Sequence, residues 1–267
     1  MPEDGDADLR ELLASSMDAP PELLPLMSEL LRGQEELGAR AVDVLELLAT
    51  RTPPVLGEGS RVLDLGSGKG ACALAIAEQL GARVLGIDGA ATFVEHARAQ
   101  AAERRLSSLC RFELDDLRAR LDSERDHDLV MMLALGDVLG ETQATVARLR
   151  QCVAPGGHVL IDGAYLRQDD DEDIDDELSA LYPSHAETRA ALESSGDLIV
   201  AEREVDGPDT AAHYRRATDA IAEHAQRLAQ QHPALAEPLL SFAARQREAI
   251  ETLAGPVIGC LWLLRRR

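Results

Sequence analysis

The chain has 267 residues, 45% of them hydrophobic, which is enough for one α/β domain with an appendage and a normal buried core. Its formal net charge of −21 argues against nucleic acids and anionic membranes as partners, because both require a basic surface that neutralises phosphates. The four cysteines form no Cys-x-x-Cys pair, no apolar run reaches transmembrane length and the acidic N-terminus lacks a signal-peptide pattern, so we expect a cytoplasmic protein without a metal site.

The first 50 residues predict a helical N-terminal cap in three parts. Leucines recur at helical spacing near the start, a second leucine-rich segment covers residues 23–31, and a third apolar stripe covers residues 38–49. Between the second and third parts, Gln34 and Glu35 are interpreted as surface residues, since nothing in their spacing is specific, with contact to the cofactor as the alternative.

Residues 62–70 read Val-Leu-Asp-Leu-Gly-Ser-Gly-Lys-Gly and predict a buried strand, a glycine turn and a helix that follows directly. Glycines at alternate positions let the backbone turn tightly and approach a ligand, and the helix N-terminus directs N–H groups toward it. An acidic side chain stands inside the strand, and the turn carries the only lysine of the chain, Lys69. The residues expected to contact a nucleoside cofactor here are Asp64, Gly66, Ser67, Gly68 and Gly70.

A second apolar strand over residues 83–87 ends at Asp88, which Gly89 follows. An acid at the tip of the second strand, about 20 residues past the glycines, is placed to bind the ribose hydroxyls of a nucleoside cofactor. The same carboxylate would repel a 2′-phosphate, so NADP is not expected.

Two kinds of cofactor fit this pattern. Residues 66–71 satisfy the loose dinucleotide pattern G-x-G-x-x-G/A, which places a pyrophosphate on the helix N-terminus. S-adenosylmethionine instead carries an ammonium and a sulfonium, so its site tolerates the Asp64 carboxylate that would oppose a pyrophosphate. Residues 62–70 resemble the first motif of the class I S-adenosylmethionine-dependent methyltransferases, hh(D/E)hGxGxG, at every position.

The resemblance extends over residues 60–165 and implies further contacts to S-adenosylmethionine. In that family an acid after the third strand lies near the adenine amino group. Here the corresponding residue is Asp116, with Asp115 as the alternative. The neighbouring cofactor contacts that the family likeness implies are Leu117, Leu133 and Ala134.

The family resemblance also implies the fold, an α/β Rossmann-like sheet of seven mostly parallel strands. The last strand is antiparallel and inserted between the fifth and sixth. The turn at residues 155–157 and the predicted fifth strand at 158–162 are familiar late features of this domain. The segment 156–167 is also similar to a bacterial subgroup of small-molecule methyltransferases, although a glutamate and a tryptophan of that subgroup are not preserved.

The C-terminal part predicts two long amphipathic helices where the family usually has a short hairpin. We expect an α/β core over residues 51–208, a helical lid over residues 209–253 and the last strand of the core over residues 254–267. Packing in a homodimer is the alternative role of the helical pair. The acidic run at residues 168–177 is interpreted as a solvated face, with an acidic gate at the active-site mouth as the alternative.

Methyl transfer from a sulfonium is an in-line displacement that chiefly requires positioning, so no metal is expected, and a base is needed only for a protonated acceptor. The catalytic candidates are Asp137, Tyr165 and Tyr214, and Asp162 and His213 are further candidates near the strand ends and in the helical insertion. The predicted function is S-adenosylmethionine-dependent methylation of a small molecule. An NAD-dependent oxidoreductase and a non-catalytic partner-binding protein of the same fold are the alternatives.

Overall fold

The computed structural model describes residues 3–167, 176–253 and 255–267, and within them a sheet of seven strands forms in the order β3-β2-β1-β4-β5-β7-β6. The acidic run interpreted above as a solvated face or gate lies outside the described residues for positions 168–175. The strands are β1 Arg61–Leu65, β2 Arg83–Asp88, β3 Cys110–Leu114, β4 His127–Met132, β5 Val153–Leu166, β6 Leu198–Glu204 and β7 Val257–Arg265.

Helices precede the first strand, alternate with the strands of the core and form a long pair before the last strand. They are α1 Glu3–Ser16, α2 Met27–Leu30, α3 Ala41–Ala49, α4 Ala71–Leu80, α5 Ala91–Glu103, α6 Leu117–Leu121, α7 Thr142–Leu149, α8 Asp176–Leu181, α9 His185–Leu192, α10 Pro208–Gln231 and α11 Ala236–Leu253. The leucine-rich segment after α1 is a 3₁₀ helix, Pro21–Leu26, followed by the single turn of α2. A proline inside that segment, Pro25, removes a helical N–H donor and explains why no longer α-helix forms there.

The central strands are buried because both of their faces are apolar, as parallel strands covered on two sides require. β1 pairs in parallel with β2 on one side and β4 on the other, and Leu63, Leu65 and Val130 are each 0% exposed. This arrangement places the ends of β1, β2 and β4 at one edge of the sheet, where ligands bind in open α/β folds.

β5 is longer than predicted. The turn expected at residues 155–157 is part of the strand, and a register irregularity between His127 and Leu129 accommodates it in the pairing with β4. Tyr165, expected to follow the fifth strand, therefore lies inside it.

β7 runs antiparallel to β5, as the family likeness predicts. The Arg167 N–H donates to the Pro256 carbonyl, and the Arg266 N–H donates to the Gly157 carbonyl at the other end of the strand. These two bonds pair ascending with descending residue numbers, which confirms the seven-stranded topology with an antiparallel last strand.

The chain divides into two compact units. The first contains the described residues within Met1–Gln34, Ala164–Ser184 and Glu204–Gly259. In it, α10 packs against α11 and α2, and the Nδ1–H of His224 on α10 donates to the Leu30 carbonyl at 3.0 Å.

The second unit contains Glu35–Gly163, His185–Arg203 and Cys260–Arg267, and it holds the glycine turn. In this unit α4 packs against β2 and α5 against β3. Its core includes the one tryptophan of the chain, Trp262, which is 1% exposed.

Candidate functional site

The glycine turn between β1 and α4 requires glycine at three positions. Gly66, Gly68 and Gly70 have φ angles of +72°, +52° and +84°, a region that other residues rarely adopt. The N–H groups of Gly66 and Ser67 both donate to the Ile87 carbonyl, at 2.8 and 3.0 Å, so the turn is fixed to the end of β2. The Ser67 Oγ is buried and has no hydrogen-bond partner among the described residues.

Asp64 carries a buried carboxyl group next to this turn. The residue is 4% exposed, and burial together with the neighbouring Asp88 carboxyl raises its pKa to about 8. Within the described part of the chain no hydrogen bond offsets that desolvation. A group that supplied N–H donors and positive charge here would stabilise the carboxylate.

Asp88 lies at the end of β2 and connects it to the glycine turn. Its Oδ2 accepts from the Gly68 N–H at 2.7 Å and its Oδ1 accepts from the Ala90 N–H at 2.8 Å. Burial raises the pKa of Asp88, and these two backbone donors oppose the shift. A carboxylate oxygen can accept more than one hydrogen bond, so each oxygen of Asp88 can also accept from a ribose hydroxyl. Gly89 lies between Asp88 and Ala90 in this turn.

The end of β3 lies beside Asp88, because the Asp115 N–H donates to the Asp88 carbonyl at 3.1 Å. Asp116 then caps α6 by accepting from the Arg118 N–H at 2.8 Å, and it also pairs with the Arg118 guanidinium. Burial raises the pKa of Asp116, but the bonds to Arg118 outweigh it and the net pKa is lowered. Leu117 is buried under the same turn.

A segment at residues 35–40 lies over the glycine turn, and we call it the strap. Leu37 lies close enough that a Cβ built on Gly68 would be 3.4 Å from its Cδ1. A Cβ built on Gly38 would overlap the Cβ of Ala134 at the end of β4. Sequence reasoning missed this segment, since one glycine between two apparent helices is not a specific signal.

Glu35 is exposed, as predicted for a surface residue, and it also ties the start of the strap to α5. Its Oε2 lies 2.6 Å from the Nε2 of His96. Its charge also acts on Lys69, whose Nζ lies 6.0 Å from the centroid of the Phe93 ring. Burial lowers the pKa of Lys69, and Glu35 opposes that shift.

At the end of β4, Leu133 is half-buried and Ala134 is exposed in a left-handed conformation with φ of +57°. The Ala134 N–H donates to both carboxylate oxygens of Asp162 at 3.0 Å each. These predicted cofactor contacts therefore lie in the same unit as Asp64 and Asp88.

The three catalytic candidates lie in different surroundings. Asp137 is exposed in the loop after β4, in the second unit. Tyr165 is 5% exposed in the first unit, and its hydroxyl donates to Glu204 Oε1 at 2.7 Å. Tyr214 is half-buried on α10, with its ring centroid 5.3 Å from that of His213.

Comparison with known proteins agrees with this geometry. Residues 62–157 match the family described as methyltransferase domain. This part of the chain is therefore similar to methyltransferase domains. The match covers β1 to the start of β5, and thus the glycine turn, Asp88 and the end of β4.

Among curated proteins, the methyltransferase domain is similar to the aklanonic acid methyltransferase DauC of Streptomyces sp. (strain C5). The two are 34% identical over 137 residues, which cover 49% of this chain and 56% of that relative. The matched region is thus about half of each protein.

Solved structures share the fold of this chain over most of its length. An S-adenosylmethionine-dependent methyltransferase from Thiobacillus denitrificans superposes with a TM-score of 0.73 at 20% identity, covering 91% of this chain and 98% of that one. A second from Geobacter sulfurreducens gives a TM-score of 0.68 at 18% identity, covering 96% and 98%. Both were solved with S-adenosyl-L-homocysteine.

The described residues contain neither a metal-binding cluster nor a membrane-spanning helix. No group of three or more His, Cys, Asp or Glu side chains among them is arranged to hold a metal ion. None of the helices in those ranges is long and apolar enough to cross a membrane.

Proposed function

We propose that this methyltransferase domain transfers the methyl group of S-adenosylmethionine to a small molecule. The observation that carries the proposal is Asp64, a buried carboxyl whose pKa is raised to about 8 and whose burial no hydrogen bond from the described residues offsets. An ammonium such as that of the methionine part of the cofactor would supply both the charge and the donors that this group lacks.

The cofactor site as a whole fits the same ligand. The Gly66, Gly68 and Gly70 backbone gives close access, the buried Ser67 Oγ is available to a ligand, and Asp88 retains acceptor capacity for ribose hydroxyls. The remaining proposed contacts are Gly89, Asp116, Leu117, Leu133 and Ala134.

A dinucleotide fits this site less well. Its pyrophosphate would approach the N-terminus of α4, beside the Asp64 and Asp88 carboxyl groups. Bringing like charges together in a desolvated site is costly. These two carboxyl groups therefore favour S-adenosylmethionine over a dinucleotide, although residues 66–71 satisfy the loose dinucleotide pattern.

When bound, S-adenosylmethionine supplies an electrophilic methyl group on a sulfonium. The chain's contribution is to hold the acceptor in line and to exclude water. Asp137, exposed after β4, is the proposed base for a protonated acceptor. Tyr165 and Tyr214 are proposed to contact the acceptor, and the Tyr165 hydroxyl would act with Glu204, to which it donates.

The small-molecule acceptor is supported by the name of the curated relative, which acts on aklanonic acid. The net charge of −21 points the same way, because it disfavours nucleic acid substrates. We further propose that residues 209–253 cover the acceptor site as a lid.

Isothermal titration with S-adenosylhomocysteine and with NAD tests the cofactor. We expect binding of the first only, and the Gly68→Val variant should lose it because valine disfavours a φ of +52°. Binding of NAD alone would overturn the proposal.

Turnover tests the reaction. Aklanonic acid, a phenol panel and an amine panel would each be incubated with S-adenosylmethionine, and S-adenosylhomocysteine release would be measured. We expect release with one class of acceptor, and the loss of that release in Gly68→Val. Cofactor binding without turnover on any acceptor would instead favour a non-catalytic partner-binding protein.

A further inference from the structure

Asp162 holds the end of the neighbouring strand β4. β4 and β5 pair in parallel with Met132 opposite Ile161, so Asp162 is one residue beyond that pair. Both of its carboxylate oxygens accept from the Ala134 N–H, at 3.0 Å each. The side chain is half-buried, and its burial raises the pKa of the carboxyl to about 6 against the opposing effect of the backbone donors.

Ala134 adopts a conformation that alanine seldom does. Its φ of +57° lies in the left-handed region, where a Cβ crowds the backbone and glycine is the usual residue. Non-glycine residues persist there when the surrounding structure imposes the conformation, often at functional sites. The hydrogen bond that the Ala134 N–H donates to the Asp162 carboxylate holds this backbone conformation.

Two parts of the cofactor site depend on that conformation. The Cβ of Ala134 lies so close to Gly38 of the strap that only glycine fits there. The next side chain, Leu135, packs directly against Gly66 in the glycine turn, where an added Cβ would overlap it. A change in the Ala134 backbone would therefore displace both the strap and Leu135.

We propose that Asp162 is a positioning residue for the cofactor site, acting through the Ala134 peptide to seat Leu135 on the glycine turn and Gly38 of the strap over it. It does not need to touch the cofactor or the acceptor to do so. The inference rests on the proposed function, because the site that it shapes is the proposed S-adenosylmethionine site.

A double-mutant cycle tests this role. Asp162→Ala removes the acceptor, whereas Ala134→Gly lets the backbone adopt a positive φ without it. We expect Asp162→Ala to weaken S-adenosylhomocysteine binding roughly tenfold, as loss of a charge-assisted bond does. The affinity of Ala134→Gly is the reference for the double variant, because Ala134 is itself a proposed cofactor contact. Adding Asp162→Ala to Ala134→Gly should cost much less than the tenfold that it costs in the wild type.

A second readout does not require the cofactor. Amide hydrogen exchange in the ligand-free protein should be faster at Ala134 and Leu135 in Asp162→Ala than in the wild type. Asp128→Ala is the matched control, because Asp128 also accepts a backbone N–H, that of Arg61 at 2.7 Å, but at the other end of β1. This control should lower stability and leave the affinity for S-adenosylhomocysteine unchanged.

The outcomes separate the two proposals. If the wild type binds S-adenosylhomocysteine and Asp162→Ala binds it equally well, or if Ala134→Gly gives no rescue, the positioning role is wrong. If the wild type does not bind S-adenosylhomocysteine, the proposed function fails, and unchanged exchange at Ala134 would then also refute the Asp162 contact. Should Asp162→Ala fail to fold, Asp162→Asn decides, since asparagine keeps one acceptor oxygen for the Ala134 N–H but removes the charge and the second acceptor. It should bind S-adenosylhomocysteine more weakly than the wild type by less than tenfold, and equal binding would refute the positioning role.

Discussion

At the scale of single residues, three aspartates near the glycine turn show how donors decide the state of a buried carboxyl. Asp88 accepts from the Gly68 and Ala90 N–H groups, and Asp162 accepts from the Ala134 N–H and from its own N–H. No donor among the described residues offsets the burial of Asp64. The pKa of Asp64 accordingly rises to about 8 and that of Asp162 to about 6. A buried carboxyl without donors lowers the stability of the folded protein. Such groups are found at functional sites, where a bound ligand supplies the missing interactions.

Asp64→Asn should stabilise the ligand-free protein in a pH-dependent way. The folded-state pKa of Asp64 is raised from 3.8 to about 8, so the folded protein binds its proton more tightly than the unfolded chain does. Wild-type stability therefore falls as pH rises from about 4 to about 8, and asparagine removes that loss.

Thermal melts of the ligand-free wild type and Asp64→Asn check this. The variant should melt at about the same temperature as the wild type near pH 4 and higher at pH 8. The difference between the two proteins isolates Asp64 from Asp162, which both contain. An equal difference at both pH values would contradict the assignment. S-adenosylhomocysteine should stabilise the wild type much more than the variant.

Asp88→Asn and Asp88→Ala should both weaken S-adenosylhomocysteine binding. Loss of charge-assisted bonds to the ribose costs about 1.5–3 kcal/mol, or roughly ten- to a hundredfold in affinity. Asp88 also accepts from the Gly68 N–H, so its substitution could weaken binding by disturbing the glycine turn. A comparison of ligands with and without the 2′-hydroxyl separates the two causes. Wild-type protein should prefer adenosine to 2′-deoxyadenosine, and Asp88→Asn should lose that preference. The exposed Asp122→Ala variant is the control, and a preference retained by Asp88→Asn would show that Asp88 does not bind the ribose.

At the scale of elements, the helical pair α10 and α11 has the buried face that a covering element requires. Ile221, Leu239 and Phe242 are 4%, 0% and 1% exposed, as expected for inward positions, while Tyr214 is only half-buried. A buried stripe is compatible with a lid and with a dimer interface. The two roles differ in whether protection of the helices depends on ligand or on protein concentration.

Hydrogen exchange of peptides from α10 and α11, measured with and without S-adenosylhomocysteine at two protein concentrations, makes that separation. A lid should gain protection with the ligand and show no dependence on protein concentration. Peptides from α9, outside the pair, serve as the internal control. Protection that follows protein concentration and ignores the ligand would identify a dimer interface instead.

At the scale of the whole molecule, the net charge of −21 predicts that polyanions such as nucleic acids are disfavoured as partners. Long-range repulsion opposes the approach of polyanions, and it is strongest at low ionic strength. We therefore expect no change in the fluorescence anisotropy of a labelled DNA duplex on titration with the protein at low salt. A basic protein of similar size is the positive control, and saturable binding of the duplex would reopen nucleic acids as substrates.

The sequence by itself determined the features that are written in contiguous residues. The strand, glycine turn and helix of residues 62–80, the acid at the tip of β2 and the C-terminal helices follow from glycine placement and hydrophobic periodicity. The family pattern added the position of β7 between β5 and β6. Such signals survive in a sequence because neighbouring residues alone produce them.

Only the tertiary structure decided which distant groups meet. Gly38 of the strap lies against Ala134, Asp162 accepts from the same Ala134 across 28 positions, and Tyr165 donates to Glu204 across 39. No periodicity encodes these pairs, because each depends on the register of neighbouring strands and on loops whose conformation the packing imposes. The length of β5, which carries Tyr165 inside the strand, depends on the same pairing with its neighbours.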